Sequence, residues 1–322
     1  MKNRLNKQDS NIWIEKGRPF SMLEEKGAFL KLITNDMNNK LNLLELFPSE
    51  ENLEVLLKQI DELKKSLDSF RPLEGEHINK LNDYFEEVYT YDSTTIEGNT
   101  LTLQETALVL NKGITIGGKT LREHFEIINH KEAIDYIKEI IKNSESFNKK
   151  ILLDIHYLIL KNIDADNAGK YRNIDVYISG STHKPPIFLQ VQELMDEYFE
   201  FYEKNKDVVH PVILATEMHE RLVTIHPFVD GNGRTSRLIM NLILLQNGYP
   251  ITNISSKNEL REDYYNCLMT AQTKNEKELF YKFIAKNVKE ALIKYLEVIS
   301  VNSENNNKGE YFYKKVLSLT KK

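Results

Sequence analysis

Apolar residues recur every three or four positions along most of this 322-residue chain, which is the spacing of amphipathic α-helices. In the segment 52–70 the apolar positions share one helix face: Leu53, Val55, Leu56, Ile60, Leu63 and Leu67. Thr102 and Thr120 are each followed three positions later by a glutamate, Glu105 and Glu123, and such capping boxes start helices. The pattern therefore predicts an all-α fold.

Later helices are predicted from their start signals. Asn148 caps a helix that runs to about residue 161, and Pro211 suits the first turn of another. Ser256, with Glu259 three positions on, predicts a further start. The segment 234–246 is apolar nearly all round, which is typical of a helix buried in the middle of a bundle.

The chain is expected to divide into three regions. Residues 1–80 form an N-terminal helical region, which includes a periodic segment at 27–37 but carries no chemical signal. Residues 81–300 form the main helical domain, and residues 301–322 a C-terminal tail.

One stretch, residues 168–187, interrupts the helical pattern. The Val-Tyr-Ile run at 176–178 favours a strand, and Gly180 followed by serine is a turn signal. Pro185 and Pro186 would end the strand, because proline cannot donate to a sheet. A short β-hairpin is predicted here.

Composition and charge narrow the function classes. A net charge of −5 gives no basic footprint for nucleic acid. The single cysteine, Cys267, cannot form an internal disulfide and is expected in the core. No run approaches the roughly 20 apolar residues that a membrane-spanning helix needs. We expect a cytoplasmic protein that engages neither membrane nor nucleic acid.

The stretch 226–237, which reads HPFVDGNGRTSR, concentrates the chemistry. Gly231 and Gly233 allow a tight turn whose N–H groups, with the start of the following helix, can cradle an anion. Arg234 and Arg237 are three residues apart on that helix and can reach the same oxyanion. The composition predicts a phosphate site.

Two other side chains of this stretch suggest a reaction. Asp230 is a natural ligand for Mg²⁺, which takes one or two carboxylates together with phosphate oxygens. His226 titrates near neutral pH and suits a general base beside an activated phosphate. By contrast, no cluster with metal-ligand spacing lies near His124, His130 or His156, and these three are expected to pack or to lie at the surface. His219, two turns before His226, is expected to be buried behind the site.

The stretch fills every specified position of the signature HPFx(D/E)GNGRxxR, and the protein therefore resembles the Fic-domain family. The resemblance implies a Fic-type helical bundle that transfers AMP from ATP to a hydroxyl side chain of a target protein. It implies His226 as the base and Asp230 as the Mg²⁺ ligand. It also implies a set of phosphate-binding residues, with the two arginines on the β- and γ-phosphates: Gly231, Asn232, Gly233, Arg234 and Arg237. Gly233 stands where the phosphotransferase branch has lysine, which argues against that branch.

A second motif precedes the signature. Ser93 and Glu97 are four residues apart, hence on one helix face, and Gly98 can end that helix. Within the resemblance they match the inhibitory pattern (S/T)xxxE(G/N), in a helix of about 85–99. The resemblance implies that Glu97 pairs with Arg237 and disturbs the seating of the γ-phosphate. Around these motifs the chain is especially similar to the animal endoplasmic-reticulum branch, in which the glutamate also helps water remove AMP.

Two further assignments come from the resemblance. The hairpin at about 170–187 corresponds to the flap, whose edge aligns an extended target segment. The flap residues are Ile178, Ser179, Gly180, Ser181, Thr182 and His183. Tyr264 and Tyr265, with Gln272, either lie near the adenine or simply pack an amphipathic helix.

Three functions stay open from the sequence. The first is an autoinhibited protein adenylyltransferase that also modifies itself. The others are an enzyme that mainly removes AMP and an ATP-sensing binding module; a base at His226 disfavours the module, since sensing needs none. Periodicity does not distinguish a monomer from a homodimer.

Overall fold

The fold is that of a computed structural model, which describes residues 52–302. This part of the chain is all-α and contains ten α-helices, as the apolar periodicity predicts. They are α1 (Leu53–Ser69), α2 (Glu76–Ile96), α3 (Leu103–Lys112), α4 (Leu121–Lys142), α5 (Lys149–Leu160), α6 (Val191–Asn205), α7 (Pro211–Ile225), α8 (Asn232–Gln246), α9 (Asn258–Lys274) and α10 (Glu278–Asn302). The predicted segment 27–37 and the tail beyond Asn302 lie outside the described residues.

Local signals set most helix starts. The capping boxes at Thr102 and Thr120 are both present, with each threonine side chain accepting from the glutamate N–H and each glutamate reaching back. Asn148 caps α5 through the N–H of Ile151, and Pro211 lies in the first turn of α7. These predictions are confirmed because each signal acts within one helical turn.

The predicted start at Ser256 is wrong. Helix α9 begins at Asn258, after Lys257 as its N-cap. Ser256 instead donates from Oγ to the Asp92 carboxylate at 2.6 Å, and its backbone N–H donates to the same oxygen at 2.9 Å. A partner on α2 outcompetes the local cap, and this contact ties α2 to the segment before α9.

Helix α8 lies at the centre and packs along α7. Twelve of its residues are buried, from Asn232 to Leu244, in agreement with a helix that is apolar nearly all round. Helix α1 packs along α10, and its Leu56, Ile60 and Leu63 belong to the same hydrophobic core as α8. The predicted division at residue 80 stays a prediction.

The segment 171–187 forms the predicted turn but no strands. Within the described residues no strand is present at all, and the hairpin is not shown. The buried Arg172 holds this segment by donating to the carbonyls of Ile174 at 2.9 Å and Pro186 at 2.5 Å. The Arg172 side chain thus forms hydrogen bonds with carbonyls at both ends of the loop. Pro185 and Pro186 have no N–H to donate to a neighbouring strand.

Among the described helices, none is both long enough and apolar enough to span a membrane.

Candidate active site

The HPFVDGNGRTSR stretch contains the connection between α7 and α8 and the first residues of α8. Helix α7 ends at His226, which is left-handed at φ 52° and ψ 57°, and Gly231 is the left-handed N-cap of α8 at φ 79°. A left-handed non-glycine residue costs roughly 1–2 kcal/mol. The turn places the imidazole beside the N-terminus of a buried helix, which is the positive end of its dipole.

The His226 ring is oriented as a base. Its Nδ1 lies 3.2 Å from the carbonyl oxygen of Val223 and must donate, since a carbonyl only accepts. In the neutral ring Nε2 is then the acceptor. Burial lowers the pKa of His226, against the opposing effect of the Val223 carbonyl. The imidazole is therefore neutral at neutral pH.

Asn232 shapes the loop from within. Its Oδ1 accepts the Phe228 N–H at 3.0 Å, and its Nδ2 donates to the Phe228 carbonyl at 2.9 Å. The amide is 2% exposed and both of its ends are used inside the loop. What Asn232 presents to a ligand is therefore its backbone N–H, one of those that a helix start leaves without an intrahelical partner.

Arg237 is buried and meets the motif from α2. Its Nε donates to Ser93 Oγ at 3.0 Å, and its Nη2 donates to the Ser93 carbonyl at 2.7 Å and to Glu97 Oε1 at 2.8 Å. Glu97 is the C-cap of α2, and Gly98 follows in the left-handed region at φ 102°. The two motifs that the sequence singled out are thus brought together at one guanidinium.

The Glu97 carboxylate rests on the first turn of α8. A Cβ at Gly233 would collide with Glu97 Oε1 and would come within 3.2 Å of Arg237 Nη1. Gly233 thus leaves room for the Glu97 carboxylate, which a side chain at this position would push aside. The carboxylate lies at the start of α8, where a helix favours an anion.

Asp230 is held from three sides. Its Oδ1 accepts the Gly231 N–H at 2.5 Å and lies 3.3 Å from Arg234 Nη2, and its Oδ2 lies 2.7 Å from Arg122 Nη2. Burial would raise the pKa of this carboxyl, but Arg234, the Gly231 N–H and Arg122 hold it below its ordinary value. Asp230 is thus a charged carboxylate near the cradle.

The Arg234 guanidinium has N–H donors that no described residue accepts. The side chain is 3% exposed, and neither Nε nor Nη1 has a hydrogen-bond partner in the part of the chain that the structure describes, although Nη1 lies 3.8 Å from Glu126 Oε1. Buried guanidinium donors without partners are costly unless a ligand satisfies them. The site therefore fits an anion with several oxygens, such as a polyphosphate.

Comparison with known proteins now decides the family. Residues 146–244 match the sequence profile of the Fic/DOC family. This chain contains a Fic domain. The protein adenylyltransferase Fic of Nematostella vectensis is 34% identical over 215 residues, which are 66% of this chain and 49% of that protein. The Aedes aegypti protein of the same name is 38% identical over 213 residues, 65% of this chain and 41% of that protein.

Solved structures of Fic-family proteins have a similar fold. Fic-1 of C. elegans, residues 134–508, superposes with a TM-score of 0.69 at 26% identity, covering 85% of this chain and 82% of that one. A Fic-domain signaling protein of Bacteroides thetaiotaomicron gives 0.69 at 27% identity, covering 77% and 98%. The chain spans about half or less of the length of the curated relatives above.

His156, which was expected from the sequence to pack or lie at the surface, contacts the signature loop. Its Nδ1 accepts the Gly169 N–H at 2.9 Å, so Nε2 carries the proton and donates to the Asp230 carbonyl at 3.0 Å. The ring stacks on Phe228 with centroids 3.6 Å apart, and burial lowers its pKa to about 4. Only the fold joins His156 to the signature loop, and we find no local signal that marks it.

Tyr264 and Tyr265 have different surroundings. Tyr264 is 1% exposed, and its hydroxyl pairs with Nε2 of the buried His219 at 3.0 Å, close to Arg237. Tyr265 is 40% exposed and donates to the Ile96 carbonyl at 3.2 Å. The expectation that His219 is buried is confirmed. Of the two tyrosines, only Tyr265 is open to a ligand, and their role near adenine stays a prediction.

The flap residues 178–183 lie in a loop anchored next to the Fic signature. Arg172 Nε donates to the His226 carbonyl at 2.8 Å, and the Arg172 N–H donates to the Pro227 carbonyl at 2.8 Å. His183 Nε2 lies 2.9 Å from the carbonyl of Thr224, the residue two before His226. The loop is therefore fixed relative to the candidate base, and its role in target binding stays a prediction.

Proposed function

We propose that this chain is an autoinhibited protein adenylyltransferase, which transfers AMP from ATP to a hydroxyl side chain of a target protein. The curated relatives carry that activity in their names. The observations that carry the proposal are the contact of His226 Nδ1 with the Val223 carbonyl, which leaves Nε2 as the acceptor, and the buried Nε and Nη1 of Arg234, which have no hydrogen-bond partner among the described residues. A base next to a polyphosphate cradle is what this transfer needs.

In the proposed reaction His226 Nε2 removes the proton of the target hydroxyl. The hydroxyl oxygen attacks the α-phosphorus of ATP, and a new P–O bond forms as the bond to the β-phosphate oxygen breaks. Pyrophosphate leaves, and AMP remains on the target. The low pKa of His226 favours release of the proton afterwards, which returns the base to its starting state.

The phosphates are assigned to the N-terminus of α8. Gly231, Asn232 and Gly233 offer backbone N–H groups, and Arg234 and Arg237 offer guanidinium forks for the β- and γ-phosphates. The described residues contain no group of three or more His, Cys, Asp or Glu that could hold a metal alone. Asp230 therefore suits a Mg²⁺ ion that arrives with ATP, where the ion would neutralise phosphate charge.

Autoinhibition is assigned to Glu97. The carboxylate occupies Arg237 Nη2 at 2.8 Å and lies over Gly233, so it competes with a γ-phosphate for the same donors. Both ligands are anions that an arginine fork binds in the same manner. Transfer then requires that Glu97 leave the cradle.

The target is assigned to the flap loop 178–183. Tyr177 beside it is 87% exposed, and the loop is anchored to His226 through Arg172. An extended segment of a target, or of this chain itself in self-modification, would lie along this loop with its hydroxyl towards the base.

The reverse reaction is a second candidate, favoured by the position of Glu97. Its side chain is 34% exposed, and its charge acts on the His226 ring. In this reaction Glu97 would take a proton from water as the water oxygen attacks the phosphorus of the AMP–target bond. The hydroxyl of the target would leave with a proton from Nε2 of His226 in its protonated form, and AMP would be released.

Labelled ATP tests the proposal against an ATP-sensing module. The full chain with Glu97→Gly is incubated with Mg²⁺ and either α-labelled or γ-labelled ATP, and protein is separated by denaturing gel. We expect label from the α position only. Bound ATP with label from neither position would favour the sensing module, and loss of label from pre-labelled wild-type protein would favour the reverse reaction.

A further inference from the structure

Arg122 lies at the N-terminus of α4, where the helix dipole disfavours a positive charge. It is the second residue of α4, directly after the Thr120 cap and Leu121, and a cation there meets the positive end of the helix dipole. The acidic residue of that turn is Glu123, as the dipole favours. Within α4 the partner of Arg122 is Glu126, four residues on, and its other contact lies outside this helix.

The contact is the carboxylate of the signature loop. Arg122 Nη2 lies 2.7 Å from Asp230 Oδ2, across 108 residues of sequence. The other oxygen, Oδ1, is already bonded to the Gly231 N–H and to Arg234. Arg122 is therefore the group that occupies the oxygen which the loop itself leaves free.

That oxygen is also the one a divalent cation would take. The Asp230 side chain is 40% exposed, so an ion can reach it, whereas Arg234 is 3% exposed and fixed behind it. A guanidinium and a divalent cation at Oδ2 repel each other, so the presence of one weakens the binding of the other.

Arg122 also connects this carboxylate to the inhibitory segment. Its Nε lies 3.3 Å from Glu126 Oε1, and Glu126 Oε2 accepts from Asn99 Nδ2 at 2.9 Å. Asn99 is 4% exposed and follows Glu97 by two residues. One turn of α4 thus holds both Asp230 and the chain that carries Glu97.

We propose that Arg122 is a positioning residue that competes with the divalent cation for Asp230, and thereby sets how much cation the site needs. A cation at Oδ2 would repel Arg122, whose remaining partner is Glu126. This inference rests on the proposed function for the identity of the nucleotide, but not for the competition itself.

The test measures binding of Mn²⁺ alone to the full chain, with free Mn²⁺ followed by electron paramagnetic resonance. Because Arg122 is 57% exposed, its loss is expected to have a moderate effect. We expect Arg122→Gln to bind Mn²⁺ roughly 3- to 10-fold more tightly than wild type. Lys119→Gln is the control, since it removes a nearby positive charge that contacts Thr100 instead; its Mn²⁺ affinity should match wild type.

Equal or weaker binding by Arg122→Gln would overturn the competition, as would an equal gain in Lys119→Gln. If none of the three proteins binds Mn²⁺ alone, the comparison is made with Mn²⁺ and a non-hydrolysable ATP analogue together, and equal Mn²⁺ affinity of wild type and Arg122→Gln there would overturn the competition. In Asp230→Asn the effect of Arg122→Gln should vanish. A separate calorimetric titration with a non-hydrolysable ATP analogue tests the nucleotide: its failure would contradict the proposed function while the Mn²⁺ comparison stands.

Discussion

Glu97 and Arg237 are 140 residues apart in sequence, yet Glu97 Oε1 lies 2.8 Å from Arg237 Nη2. The guanidinium is buried while the carboxylate is 34% exposed, so the pair is reached by solvent from the Glu97 side only. Ser93 holds the buried Arg237 in place as well, through Nε and Nη2. In the proposed autoinhibition Glu97 would therefore be the partner that moves away.

Removal of the Glu97 charge should activate transfer. A hydrogen bond to a charged group contributes about 1.5–3 kcal/mol, and partial exposure favours the lower end. We expect Glu97→Gln to raise self-modification about tenfold and Glu97→Gly at least as much. The measurement is the initial rate of label incorporation from α-labelled ATP. The glutamine variant is the matched control for backbone freedom, and a glutamine variant as slow as wild type would show that charge is not what restrains transfer.

Gly233 and Glu97 should be energetically coupled. An alanine at Gly233 would favour the helix by roughly 0.5–1 kcal/mol, but its Cβ would collide with the Glu97 carboxylate. We expect Gly233→Ala to lower the free energy of unfolding in wild type and to lower it less, or raise it, in Glu97→Gly.

A urea-unfolding double-mutant cycle measures this coupling, which we expect to be about 1 kcal/mol. Gly231→Ala serves as a comparison, because its Cβ would meet Ile159 and His156 instead of Glu97. An additive cycle for Gly233 and Glu97 would contradict the close approach of the carboxylate.

The rate of AMP transfer should change little as the pH is lowered to about 6.5. Burial lowers the pKa of His226, so its neutral form persists below the ordinary value of 6.5. The Glu97 charge works in the opposite direction, and its removal lowers the pKa further. In Glu97→Gly we expect a rate that is level from about pH 8 to 6.5 and declines only below that. A pH–rate profile whose acidic limb has its midpoint above 6.5 would argue against His226 as the neutral base.

The free energy of unfolding should decrease as the pH is lowered, over a range set by the pKa values of buried histidines. Burial lowers the pKa of His156 to about 4 and of His219 to about 3. Below pH 6.5 the unfolded chain binds these protons and the folded chain does not, so the free energy of unfolding decreases as pH falls. The slope is roughly 1.4 kcal/mol per pH unit for each histidine, until its folded pKa is reached.

Urea unfolding at pH 7, 6, 5 and 4.5 checks this window. In His219→Gln the slope between pH 6 and 4.5 should decrease by about one histidine's share. An unchanged slope would mean that His219 is protonated in the folded protein.

Sequence reasoning succeeded where the signal and its effect lie within one helical turn. The capping boxes at Thr102 and Thr120 act through a residue three positions away, and both formed. The phosphate site could be predicted from the signature loop for the same reason, because its glycines, its carboxylate and its arginines lie close together in sequence. The contact of Glu97 with Arg237 was expected from the family resemblance, because helical spacing places Ser93 and Glu97 on one face but names no partner.

The failures share a different cause. Ser256 was assigned to a local cap but binds Asp92 on another helix, and the strands expected around Gly180 are absent where Arg172 takes the loop carbonyls. His156 and Arg122 reach the signature loop from helices far away in sequence. Each of these contacts is decided by tertiary packing, which a periodicity or a short motif does not encode.

The most direct test of restrained adenylyl transfer is intact mass spectrometry of the full chain after incubation with ATP and Mg²⁺. Three proteins are compared: wild type, Glu97→Gly, and Glu97→Gly with His226→Ala. We predict a mass gain equal to one or more AMP groups in the single variant, a much smaller gain in wild type, and none in the double variant. An equal gain in wild type and Glu97→Gly would contradict restraint by Glu97, and a gain in the double variant would contradict His226 as the base.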